Sequence, residues 1–342
     1  MAKFGKTATV LLILCLIVSA LTGCGGKSVE YSEYKYGDAS EYLTGDVSGL
    51  AEEFDSVDID WLSGEVMLVY SADDSASLTE SANMDLTDGI RLRYRVSGKT
   101  LMIKYCADGA GEELINLTKK LTLTLPAGKK LSRLNVSTTT ADVLSDGVNA
   151  GQVTLTTLSG CIATKFTDSD SAAFNTTEGS IDTELDSVRD VKLETGAGSI
   201  DAIVKDAVNA EFTSTTGSVT VKQKGDTDKL RIESAAGKIE LKANNIKNPE
   251  INSTSGNIKM KFKTVPLVIN ARTTSGKMTI QLPPDAGFTA TIKSANGDFD
   301  CDFKDAVRNG KTYTRGDGYS DMNLSSTSGN INIKPIEEKE DK

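Results

Sequence analysis

Residues 253–258 read Ser253-Thr254-Ser255-Gly256-Asn257-Ile258. A hydroxyl residue, two small residues, a glycine, a polar residue and an apolar one follow in that order. The same phrase, with Gly or Ala in fourth place, is written ten times between Thr138 and Ile331. Its fourth residue, the pivot, falls at 141, 160, 179, 198, 217, 237, 256, 276, 297 and 329. The steps are 19 to 21 residues, except the last, which is 32. Self-similarity at such a period marks a repeat architecture.

Three residues before every pivot stands a Ser or Thr, from Thr138 to Ser326. Five before it stands an apolar residue, such as Val136, Phe174 or Ile251. Two after it stands another, such as Val143, Ile200 or Ile258. Intervening positions such as Lys238, Asn257 and Lys259 are polar. Period-two alternation predicts two short strands flanking each pivot, each with one buried face. A Gly pivot suits a corner of positive φ, and Ala141 lacks that freedom, so the first corner is expected to differ.

Alternation alone fits stacked β-hairpins or a propeller-like array as well as a solenoid. A solenoid gives the likeness between copies a purpose. Equivalent residues then lie about 4.8 Å apart, and a column of hydroxyls can hydrogen-bond along itself. The expected fold is therefore all-β: a single-core β-solenoid of ten to eleven coils, about 45 Å long. Hairpins remain the alternative.

The repeat domain is expected over 53–336, with a divergent part at 53–130 and regular coils at 131–336. The divergent part holds one more copy, in which Trp61 takes the hydroxyl place and Leu68 continues the inward row. Ile90 to Tyr105 reads as a hairpin around Ser97-Gly98-Lys99, and Leu121, Leu123 and Leu125 as a strand. The long last step carries a polar, Gly-rich loop, Val307 to Ser320. The charged tail 337–342 would blunt an open edge.

Residues 1–23 read as a leader. Lys3 and Lys6 precede an apolar run from Val10 to Leu21, shorter than the roughly 20 residues needed to span a bilayer. Leu21-Thr22-Gly23-Cys24 resembles the lipobox of bacterial lipoproteins. That resemblance implies cleavage before Cys24, lipidation of its sulfur and a membrane anchor there. Residues 24–52 then read as a flexible tether.

The repeated Thr/Ser-x-x-Gly-x-Ile phrase, the strand ends Leu123-Thr124-Leu125-Pro126 and Ile280-Gln281-Leu282-Pro283, and Ile59-Asp60-Trp61-Leu62-Ser63-Gly64 together resemble the bacterial adhesin β-strand-repeat family, domain of unknown function 4097. The resemblance covers roughly residues 53 to 336. It implies a toast-rack-like solenoid of the cell envelope, of the kind found in envelope-stress proteins, with no catalytic residues to carry over.

Composition narrows the chemistry. The formal net charge is −10, and −12 once a leader holding Lys3 and Lys6 is removed. This disfavours nucleic acid and anionic headgroups as partners. There is no His, so the commonest general base and transition-metal ligand is absent. No calcium-binding nonapeptide, phosphate loop or GxSxG occurs. Asp182, Asp201 and Asp298 read as a solvated face. Cys106, Cys161 and Cys301 are an odd set without CxxC spacing; Cys161 is expected outward and Cys301 inward.

No catalytic, cofactor or metal residue is therefore expected. Arg315-Gly316-Asp317 spells a tripeptide that integrins recognise, and equally reads as a turn holding an arginine. The expected function is a lipid-anchored, non-catalytic binding or structural module on the outer face of the cytoplasmic membrane, in an envelope-stress setting. It would present polar ladders to an envelope polymer or protein. A surface adhesin and a glycan-acting enzyme are the alternatives.

Overall fold

A computed structural model describes residues 33–50, 53–72 and 74–337. The leader, Cys24, residues 25–32 of the tether and residues 338–342 of the tail lie outside the described residues. The chain winds as a β-solenoid whose strands form one continuous sheet wrapped round one core. Strands running into the pivots form an approach wall, and strands leaving them form an exit wall. Both walls are parallel and in register from winding to winding. Thr138 pairs with Thr157, Thr157 with Thr176, and Thr176 with Thr195. On the exit wall Ile181 pairs with Ile200, and Ile200 with Val219.

The register follows from the alternation. A slip of one residue would turn every inward aliphatic to water. The residues five before and two after the pivots fill the interior, and of these Phe299 alone is partly exposed. Each such Val, Leu, Ile or Phe contributes about 1.5–3 kcal/mol by burial. The return corner opposite the pivots uses a different device: Asp168 and Ser187 turn there in left-handed conformation, at φ 53° and 58°.

The pivot glycines answer to contact, not to dihedral freedom. None of those between Gly160 and Gly329 has positive φ. Instead a Cβ on Gly179 would lie 1.9 Å from the carbonyl oxygen of Gly160, and one on Gly217 would lie 1.8 Å from that of Gly198. Backbones pass so closely at this corner that no side chain fits. The expectation of a positive-φ corner is corrected on that point.

The ends depart from sequence order. Ser320–Ser326 lies between Val268–Thr273 and Phe288–Ser294. Ile331–Pro335 likewise lies between Met278–Leu282 and Phe299–Cys301. The last copy is therefore inserted between the eighth and ninth. The pivots agree: a Cβ on Gly329 would strike Gly276, and one on Gly297 would strike Gly329. The segment expected as a polar loop makes this possible. It forms a hairpin, Val307–Asn309 with Thr312–Arg315, that lies antiparallel along the outer edge of Phe288–Ser294.

The N-terminal end is built the same way. The first winding, Ser56–Trp61 and Gly64–Ser71, lies between the third-placed strands Leu131–Thr138 and Asp142–Asp146 and a later-made outer winding, Thr100–Lys104 and Lys119–Pro126. Antiparallel strands Arg93–Ser97 and Ser77–Ala82 close that outer edge. The hairpin around Ser97-Gly98-Lys99 and the strand through Leu121 are both as expected.

Residues 33–50 are not a free tether. Leu43–Thr44 pairs with Arg93–Ser97, and Val47–Ser48 with Ser77–Ala82. Tyr34 and Tyr42 are buried, and Tyr36 stacks edge-on between them at 5.6 and 5.1 Å. Three aromatic rings bury enough apolar area to hold an otherwise polar, Gly-containing segment against the cap.

Candidate binding faces and buried sites

The inward hydroxyl column is a clasp on the backbone. Thr195 Oγ1 donates to the carbonyl oxygen of Gly179 at 2.9 Å and accepts from the amide of Gly198 at 3.1 Å. Thr157 and Thr176 accept from Gly160 and Gly179 in the same way. Expected hydroxyl-to-hydroxyl bonding along this column is thus corrected; it occurs instead on the exit wall, where Thr164 and Thr183 lie 3.0 Å apart. The pivot amides and carbonyls are buried at a corner where the sheet ladder breaks, so the hydroxyls satisfy what the ladder cannot. Trp61 does the same for the end winding: its indole N–H donates to the carbonyl oxygen of Lys119 at 3.2 Å, and Lys119 stands in register with the Gly64 pivot.

Two long outer faces result. On the approach wall a groove of about 580 Å³ has Ala172 and Ala173 in its floor and Asp190, Glu211, Arg231 and Glu250 along its sides. Arg231 bonds Glu233 at 2.6 Å and Glu250 at 3.0 Å, and Asn209 donates to Asp190 at 2.7 Å. On the exit wall a groove of about 530 Å³ runs past Leu144, Ala163, Asp182 and Glu184. Such faces offer an extended ligand repeated polar groups at one strand spacing. Asp182 and Asp201 stand side by side in register and are exposed. Among the described residues, no three Cys, Asp or Glu side chains converge as metal ligands would.

Arg315, Gly316 and Asp317 meet at the turn that follows the inserted hairpin. Gly316 takes φ 60°. The arginine is engaged inward: its Nε donates to Asp305 at 2.7 Å, its guanidinium also donates to the Ala286 carbonyl, and it lies 4.6 Å over the Phe303 ring. That hydrogen bond holds the Asp305 carboxyl below its ordinary pKa. Asp317 is exposed, and its carboxylate accepts from the amide of Tyr319 at 3.1 Å. The tripeptide anchors the hairpin to the stack.

Cys161 is exposed, Cys301 half-buried and Cys106 buried, all as free thiols. Burial pushes the Cys106 thiol up to about 12. A buried ion pair in the N-terminal cap has no counterpart in the sequence reading. Lys119 and Glu80 meet at 2.7 Å with both side chains wholly enclosed. The ammonium also donates to the carbonyls of Ile90 and Tyr105 and sits 4.8 Å over the Trp61 ring. Glu80 in turn accepts from the amide of Leu92 at 2.8 Å. Burial lowers the Lys119 pKa. With all three ammonium protons satisfied, the pair fixes the cap's geometry.

The stack is a β-solenoid of the toast-rack kind. The family model described as Toastrack DUF4097 matches residues 187–334. Three solved structures are similar at 13% identity. A candidate cell adhesion protein from Clostridium sporogenes is covered over 99% of its length and covers 86% of this chain, with a TM-score of 0.20. A candidate lipid binding protein from Parabacteroides distasonis covers 87% here and 97% of itself, at 0.44. A candidate adhesin from Bacteroides fragilis covers 86% and 97%, at 0.31. No curated protein matches the chain.

Proposed function

We propose that the protein is a non-catalytic binding module of the bacterial cell envelope, anchored by lipid at Cys24 on the outer face of the cytoplasmic membrane. The observation that carries this reading is the register itself. Equivalent residues stack along two walls, so each wall is a long, regular, polar face. Extended faces of this kind suit linear or repeating ligands better than they suit a reaction. Leu21-Thr22-Gly23-Cys24 supports the anchor.

The test is photo-crosslinking in intact cells from positions on each wall, with envelope and host-matrix fractions as competitors. Crosslinks to an envelope polymer or protein that survive host matrix are expected. Competition by host matrix alone would move the reading to an adhesin. Metabolic labelling with a fatty-acid probe, in wild type and Cys24→Ala, tests the anchor.

A further inference from the structure

The overall charge is negative, yet one part of the exit wall is strongly positive. Lys222, Lys242 and Lys261 pair directly with one another in three successive windings. Gln281 and then Lys334 continue that column. Two residues nearer the pivots, Glu240 pairs with Lys259. Beside the pivots stand Lys238 and Lys277, each one residue after its Gly. Gln281 is buried, and the other fourteen places of these five windings hold seven lysines and one carboxylate.

This segregation is not what composition alone gives. Lys and Arg make up 38 of 342 residues, which would place about two cations on such a patch. Like charges directly opposite in a sheet destabilise it, so the columns cost stability. Lys238 and Lys242 share Glu240 at 2.5 and 3.8 Å. Lys222, Lys277 and Lys334 form no ion pair among the described residues, and Lys259 stands opposite the already shared Glu240. Acids bracket the patch, with Asp182 and Asp201 on one side and Asp298 and Asp300 on the other. Its length along the stack is about 20 Å.

We propose that this patch is the docking site for a linear phosphodiester polymer of the envelope, lying along the lysine columns. The inference rests on the display reading above and names its ligand class. Charge complementarity selects a polyanion. The residue type suits phosphodiester: every cation on the patch is a lysine, a point charge with rotatable donors that fits a chain of singly charged phosphates without bidentate geometry. A second copy of this chain is a poorer occupant, because the neighbouring acidic zone offers Asp182, Glu184 and Asp201 against seven lysines. The protein's remaining acids are screened, since the Debye length at physiological ionic strength is about 8 Å.

The test measures binding of fluorescent poly(glycerol phosphate) by the full chain between about 50 and 300 mM salt. Binding should weaken with a log–log slope of about −3 to −4, as for five neutralised phosphates. Combined Lys222→Glu, Lys242→Glu, Lys259→Glu and Lys277→Glu should lower affinity more than about tenfold and flatten the slope. Reversing Lys99, Lys229, Lys293 and Lys311 on other surfaces controls for net charge and should change it less than about threefold. Circular dichroism melting confirms that both variants fold.

Absence of binding, equal loss in both variants, or equal binding of poly-L-glutamate of matched charge overturns the proposal. So does self-association that the first variant alone abolishes. If the polymer fails while envelope crosslinks persist, only this inference falls and the display reading stands.

Discussion

Thr195 donates its hydroxyl proton to the carbonyl oxygen of Gly179, sixteen residues earlier and one winding away. The Thr195 hydroxyl oxygen in turn accepts the amide proton of Gly198. One side chain thus ties two windings together at the corner where the backbone ladder is interrupted. Thr195→Val keeps the shape but strands a buried amide and a buried carbonyl. It should cost about 2 kcal/mol in urea unfolding, whereas Thr195→Ser should stay within about 1 kcal/mol.

The pivot glycines give a sharper test of the stacking. Gly217→Ala places a methyl 1.8 Å from the Gly198 carbonyl oxygen. Neither backbone can give way without disturbing the register, so stability should fall by about 3 kcal/mol. Gly37→Ala meets nothing within 4 Å and lacks positive φ. It should be neutral within about 0.5 kcal/mol. Thermal melting of the two variants separates close approach from a general cost of replacing glycine.

Cys106 predicts a pH dependence. Its folded thiol keeps its proton to about pH 12 because burial disfavours the thiolate. An unfolded thiol releases its proton near 8.5. Between these values the folded state binds more protons, so stability falls as pH rises, by about 2 kcal/mol at pH 10. Urea midpoints at pH 8 and pH 10 should show this loss, and Cys106→Ala should remove that share of it. Iodoacetamide at pH 8 should label exposed Cys161 and spare Cys106.

Hydrogen exchange tests the interchange of the last two copies. Amides of Ser320–Ser326 lie between two strands, while Phe288–Ser294 has the short hairpin strand Thr312–Arg315 on its outer side. The chain-terminal copy should therefore exchange more slowly than the copy that precedes it in sequence. A terminus that frays first would contradict the strand order.

Much of this architecture is written plainly in the chain. The hydroxyl before each pivot and the aliphatics five before and two after it locate every winding, because burial repeats at one spacing. Trp61 was legible as a stand-in for the hydroxyl, and it does donate to a neighbouring winding's carbonyl. The reason for the glycines was not legible, since positive φ and close approach select the same residue. Nor was the order of the last copies: the 32-residue step announces an insertion, but sequence does not say on which side of a strand the chain returns. Lys119 and Glu80 are 39 residues apart with no periodic relation, so nothing local foretells their meeting. The lysine columns were legible in principle. Lys222, Lys242 and Lys261 share one offset from their pivots, a signal that net charge averages away.

The inset position of the final copy also bears on how the chain is made. A ribosome delivers Phe288–Ser294 before Ser320–Ser326 exists. Until then the slot between Val268–Thr273 and Phe288–Ser294 has no occupant, and the nascent rod stops short with an unsatisfied rim. Closure is an insertion between two strands made earlier rather than one more coil laid on a growing stack. A product that lacks the last repeat thus exposes that slot as a strand template to other chains, whereas in the finished molecule Ser320–Ser326 fills it.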